Sequence, residues 1–218
     1  MITARRPAAA RRGIRRLPTD TRGVGLIEFA FALPVLLTLV LGGLEIANLA
    51  LMQQHVTEMA SQVAQNAARG TQQMDEADIA QIFTGSELSA AGTTLLTNGR
   101  LILSSVRLNA AGNGQWIEWQ RCTGGVTTIR SAYGVQGKGK TDTSLQRVGA
   151  APGLQAAANV DIMVVEVQTT YQPLLGSVFS VVSRDKTLRA VNAQVVRDRT
   201  TFNLKNDGGL TAAQIRTC

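Results

Sequence analysis

Residues 24–44 are apolar except for one acid, Glu28, and carry no other charge. These 21 residues would make about 31 Å of helix at about 1.5 Å per residue, matching a hydrocarbon core of about 30 Å. Downstream the pattern changes to Leu49, Met52, Val56, Met59, Val63 and Ala67, stepping by three, four, three, four and four. That spacing puts one apolar stripe along an α-helix. The two patterns meet without a breaker, so one helix is expected over residues 24–69, stopping at Gly70. At 46 residues it would be about 69 Å long, too long for a membrane alone or for a simple globular helix. Its first half is therefore expected in lipid and its second half against an outer domain. Pro34 falls in the first half, where a proline either kinks a helix or is tolerated, and Gly42 and Gly43 allow close approach of another helix.

The rest of the chain reads as shorter elements. A helix is expected over residues 75–83, with Asp75 near its start and Ile79, Ile82 and Phe83 apolar. Residues 100–109 and 115–122 read as strands joined by 110–114, whose glycines and asparagine suit a hairpin loop. Trp116 and Trp119 are strand and core residues in this reading, not a base-stacking platform. Residues 123–158, rich in Gly, Ser, Thr and Ala, read as an irregular, flexible excursion. Residues 160–171 are dense in β-branched side chains and form the strongest strand signal. Pro173 can open a short helix to about Val181, and residues 186–196 supply a fourth strand with Val191, Ala193 and Val195 on one face. The tail from residue 200 is mixed. The expected fold class is α+β, a long N-terminal helix packed on a small, mainly antiparallel four-stranded sheet.

Charge refines the organisation. Residues 1–23 hold seven arginines against Asp20, a net of +6, which leaves 15 basic and 14 acidic residues for the remainder of a chain whose net charge is +7. The basicity thus belongs to the leader, and a nucleic-acid partner is not implied. Arginines just before a span stay on the cytoplasmic side, so the expected layout is a cytoplasmic leader at 1–23, a transmembrane helix at 24–44, its outer continuation at 45–69 and an extracytoplasmic α+β domain at 70–218. A general or twin-arginine signal delivering a secreted or anchored binding domain is the rival reading, with Arg11-Arg12 or Arg15-Arg16 as the arginine pair. No Ala-x-Ala cleavage site follows the apolar run, and Glu28 would interrupt its beginning. Two cysteines, Cys122 and Cys218, favour one disulfide outside the cytoplasm, worth about 4 kcal/mol in the chain-entropy model, against the alternative of two unrelated thiols.

A carboxylate in hydrocarbon costs a few kcal/mol or more and is usually functional or paired; on an ordinary anchor it would instead snorkel to the headgroups. Gly23 stands five residues before Glu28, directly after the basic leader. Here the chain resembles the type IV prepilin pattern, in which a membrane peptidase cuts after a glycine and leaves glutamate fifth in the mature chain. The resemblance implies Val24 as the new N-terminus, and a carboxylate one turn along that pairs with the α-amine of a neighbouring subunit.

Other chemistry is sparse. Residues 134–141, Gly-Val-Gln-Gly-Lys-Gly-Lys-Thr, match G-x-x-x-x-G-K-[ST], with residues 162–166 as a possible acidic partner strand. A nucleotide-dependent enzyme built on Lys140 would need a firm helix after the loop and ATP on the same side of the membrane. Thr141 is followed by Asp142-Thr143-Ser144 and soon by Gly149, Pro152 and Gly153, so a solvated glycine-rich loop is expected instead. His55 is expected as a solvated helix residue beside the apolar stripe. With one histidine and two cysteines, no catalytic, metal or cofactor site is expected.

The chain also resembles the TadE-like family of minor pilins or pseudopilins from tight-adherence (Flp-type) pilus systems. The resemblance rests on Arg22-Gly23-Val24-Gly25-Leu26-Ile27-Glu28-Phe29-Ala30 and Leu33-Pro34, then on Trp119-Gln120-Arg121-Cys122, Tyr133-Gly134, Val165-Glu166-Val167 and Tyr171-Gln172-Pro173-Leu174. It implies cleavage between Gly23 and Val24 by a prepilin peptidase, Glu28 as the assembly carboxylate and pairing of Cys122 with Cys218. It further implies residence in a bacterial inner membrane or the pilus, with lipid, other pilin subunits and the assembly machinery as partners, and no enzymatic activity. A major Flp pilin is far shorter, so the large outer domain points to a minor or accessory subunit.

Overall fold

The computed structural model describes residues 23–70, 73–176, 186–196, 199 and 201–218. A first helix, α1, spans Val24–Ala68, ending one residue before the expected limit. Pro34 does not end it. In its second half Val56, Met59, Val63 and Ala67 are buried, and Leu49 and Met52 pack partly buried beside them, so the apolar stripe faces the core as its spacing requires. Its end is closed by Arg199, whose Nη2 donates to the carbonyls of Ala67 at 3.1 Å and Gly70 at 3.2 Å. These are carbonyls that the helix itself leaves unpaired. The chain divides into two compact units, Met1–Leu44 and Glu45–Cys218.

The second helix, α2, spans Glu76–Ser89. Asp75 caps it, its Oδ1 accepting from the Ala77 amide at 2.8 Å, while Asp78 Oδ2 accepts from the Asp75 amide at 2.9 Å. This reciprocal box satisfies two orphan donors. The Ala77 bond foremost, with those from Asp207 and Gly208, holds the Asp75 carboxyl below its ordinary range despite burial. The helix continues six residues beyond the expected end, through Gly85, because Ile79, Phe83 and Ser86 form one buried face. Burial of that face outweighs the roughly 1 kcal/mol that a helical glycine costs.

The four strands β1 (Gly99–Leu108), β2 (Gln115–Thr123), β3 (Ile162–Thr170) and β4 (Thr187–Val195) form one sheet in the order β2-β1-β3-β4, every neighbouring pair antiparallel. A register shift at Ser105/Val106 marks a bulge in the β1–β2 pairing. One face, with Leu101, Leu103, Trp119, Met163, Val165 and Val167, joins the buried faces of both helices in the main core. The opposite face, with Ile117, Ile162 and Val164, packs with Leu145, Val148 and Ala156 in a second core.

That second core corrects the reading of residues 123–158. The excursion is irregular, but it covers the back of the sheet. Leu154 and Val148 exchange backbone hydrogen bonds at 2.7 and 3.0 Å, and Gln115, fully buried, donates to the carbonyls of Gln146 and Leu154 and accepts from the Ala156 amide. Glycines here serve close approach: Gly139 has φ +82° and an added Cβ would lie 2.0 Å from the Gln115 carbonyl oxygen. On β4, Val191 and Ala193 pack on this second core while Leu188 and Ala190 face the main one, and Val195 is exposed. Of the short helix expected from Pro173 to Val181, the described part is a turn at residues 174–175 followed by Gly176 in 3₁₀ conformation, and the remainder lies outside the described residues.

Candidate functional site

Gly23 and Val24 straddle the start of α1. The Gly23 carbonyl accepts the first helical hydrogen bond, from the Ile27 amide at 3.2 Å, so the peptide bond between them sits where the helix begins. Glu28 follows Val24 by four residues, on the same helix face, and is exposed among Leu26, Ile27, Phe29 and Phe31, each of which exposes more than half of its surface. The salt bridges among the described residues do not include it. At Pro34, the Thr38 hydroxyl donates to the Pro34 carbonyl at 2.7 Å. Among the described residues, α1 is the helix long and apolar enough to cross a membrane.

A second acid, which the sequence reading passed over, is Glu45. It follows Leu44 directly and is only 2% exposed. Its Oε1 accepts from the Tyr171 hydroxyl at 2.7 Å, and its Oε2 from the amides of Leu174 at 3.1 Å and Leu175 at 3.4 Å. Asn48, one turn along, donates to the Tyr171 oxygen at 2.6 Å. Burial, and then the bond to Glu45, pushes the Tyr171 hydroxyl above its ordinary value, so it remains a neutral donor. A carboxylate left inside protein must be matched by donors, and the turn after β3 supplies them. The signal that would have found this residue is an acid between Leu44 and Ile46 in a stretch otherwise uncharged to Met52.

The other ionic groups tie the Glu45–Cys218 unit together. Arg121 on β2 clamps Glu76 at the start of α2, with Nε 3.0 Å from both carboxylate oxygens and Nη2 closing on Oε1, both side chains being nearly buried. Arg216 in the tail pairs with Glu87, and Cys218 is joined to Cys122 by the disulfide. Tail and edge strand are further linked by the Cys122 amide donating to Arg216 O at 2.8 Å. Asp161, fully buried, lies 3.2 Å from Arg107 Nε and accepts from the Ser105 hydroxyl at 3.1 Å. Arg107 also serves Glu118 through Nη1. Burial wins over these partners and pushes the Asp161 carboxyl from 3.8 up to about 7.

The glycine-lysine loop at 134–141 has no phosphate cradle. The Lys138 carbonyl accepts from the Ile117 amide at 3.0 Å, the Gly137 amide donates to the Ile117 carbonyl at 2.7 Å, and Lys140 Nζ lies over the Trp116 ring. Among the described residues no helix follows Thr141, so no helix N-terminus points its amides at an anion. Trp119 is in the main core, as expected, and His55 is exposed on α1. Among the described residues no group of three or more His, Cys, Asp or Glu side chains is arranged to hold a metal ion.

The first half of α1 is thus an exposed apolar helix with a carboxylate about one turn past Val24, long and apolar enough to cross a membrane. Residues 23–69 match the family model described as TadE-like protein. The match coincides with α1 and leaves the sheet outside it. No curated protein and no solved structure matches the chain.

Proposed function

We propose that this protein is a membrane-anchored pseudopilin or minor pilin that takes part in assembling a Flp-type pilus after a prepilin peptidase cuts between Gly23 and Val24. The observation that carries this reading is a coincidence of boundaries: the TadE-like match begins at Gly23, and α1 begins at Val24. Cleavage there frees an α-amine at the head of the helix. Glu28 meets such an amine on a neighbouring subunit, which offsets the cost of holding a carboxylate in lipid. The arginine-rich leader stays cytoplasmic and the Glu45–Cys218 unit lies outside. Continuity of α1 through Leu44 and Glu45, with Glu45 buried in the outer unit, supports retention on the membrane over release after the apolar run.

Mass spectrometry of the membrane-extracted chain tests the reading. A mature N-terminus at Val24 is expected in cells with an active prepilin peptidase. An uncut Met1 form there, or a soluble product starting near residue 45 or beyond, overturns it. Glu28→Ala is expected to leave cleavage intact while impairing piliation, and normal piliation in that variant would remove Glu28 from the mechanism.

A further inference from the structure

Glu45 is the first residue after the apolar run of residues 24–44, and it is also where the turn after β3 is fastened. Hydrogen bonds from the Leu174 and Leu175 amides and the Tyr171 hydroxyl hold residues 171–175 within one side chain's reach of the helix at that level. These bonds are internal to the Glu45–Cys218 unit, so the placement does not depend on how the helix enters the unit. If the run ends at the bilayer surface, the turn is at the bilayer surface. Its chemistry suits that position. Residues 172–176 carry no charge, Leu174 is 61% exposed, and Leu175 and Pro173 are half-buried beneath it. Beside them, the Lys186 carbonyl accepts from the Tyr171 amide at 2.9 Å, and Lys186 itself is exposed. Glu45, the acid at this level, is turned inward and shielded from headgroups. A lone exposed leucine is ordinary on a protein surface; an exposed leucine beside a lysine, latched to the first helical turn after a span, is the composition of an interfacial contact.

We infer that the turn at residues 172–175 is a lipid-contacting foot: Leu174 enters the boundary between headgroups and acyl chains, and Lys186 faces the lipid phosphates. This rests on reading residues 24–44 as a membrane span. The outer unit is then held to the membrane at two points, the helix and the foot. Glu45 acts as a positioning residue that keeps the foot at the depth of the helix exit.

The test uses the full chain, with its disulfide intact, carrying one added cysteine labelled with an environment-sensitive fluorophore under non-reducing conditions. Leu174→Cys reports on the foot, Leu36→Cys on the span, and Leu88→Cys, on an exposed position of α2, on the rest of the outer unit. Gln172→Cys, exposed in the same turn, repeats the measurement if Leu174→Cys folds poorly. Each is reconstituted into phosphatidylethanolamine–phosphatidylglycerol vesicles with and without a lipid bearing a nitroxide quencher, placed shallow for positions 174, 172 and 88 and deep in the acyl chain for position 36. The expected result is loss of emission at positions 174 and 36 but not at 88. Loss at 36 with none at 174 beyond that at 88 overturns the foot and leaves the span standing. No loss at 36 overturns both.

Discussion

Asp161→Asn is expected to remove a pH dependence that a single buried carboxyl imposes on the Glu45–Cys218 unit. Asp161 is fully buried, and burial raises its carboxyl from 3.8 to about 7 against the opposing pull of Arg107 and then of the Ser105 hydroxyl. Glu118 adds to the rise by sharing Arg107, while Arg199 opposes it from further away. Between these two values the unfolded carboxyl is ionised and the folded one is protonated, so folding takes up about one proton. Stability therefore falls with rising pH, by about 1.4 kcal/mol per pH unit through this window. The contribution is fully present below 3.8 and lost once the pH has passed about 7. The whole displacement is worth about 4 kcal/mol, an order-of-magnitude figure. Asparagine stays neutral, can keep the Ser105 bond and has no proton to lose.

The assay is urea unfolding of the full chain in mild detergent, followed by the fluorescence of Trp116 and Trp119, at several pH values from 5 to 7.5. The wild-type midpoint is expected to fall across this range, and the Asp161→Asn midpoint to fall less and to exceed it at the alkaline end. Equal slopes in the two proteins would mean that Asp161 is already ionised in the folded unit, and would refute the dominance of burial over Arg107.

Two further outcomes follow from the same packing. Arg121→Met strands the nearly buried Glu76 carboxylate between α2 and β2, and is expected to cost about 3–5 kcal/mol of unfolding free energy in that urea titration; pairing it with Glu76→Leu should recover much of the loss. Gly139→Ala places a Cβ 2.0 Å from the Gln115 carbonyl at a φ of +82°, and is expected to cost more than about 1 kcal/mol. A neutral effect there would mean that residues 123–158 pack loosely over the sheet.

The elements most legible in the sequence are those where one local signal sufficed. The stripe from Leu49 to Ala67 gave the outer half of α1, because helical spacing leaves a single face to bury. The strands at 100–109, 115–122, 160–171 and 186–196 lie within one or two residues of the observed β1 to β4, since β-branched runs between turn residues admit few other conformations. The end of α2 lies six residues beyond the expected one because the burial that carries the helix through Gly85 is tertiary. Residues 123–158 read as open loop for the same reason. Their glycines say that the backbone can turn, but not that it turns onto the back of a sheet.

The proposal for Gly23, Val24 and Glu28 rests on local spacing and on a carboxylate in an apolar run, both of which are read without coordinates. The sequence by itself determined the apolar run, its acid and the α+β class, all of which depend on neighbours within a few residues. Tertiary structure alone decided that Glu45 is latched to Tyr171 and the Leu174 amide, 126 and 129 residues away. It also decided that Arg121 meets Glu76 and that Asp161 is shut away from water. A side chain's electrostatic role depends on what excludes solvent around it, and those groups come from distant parts of the chain.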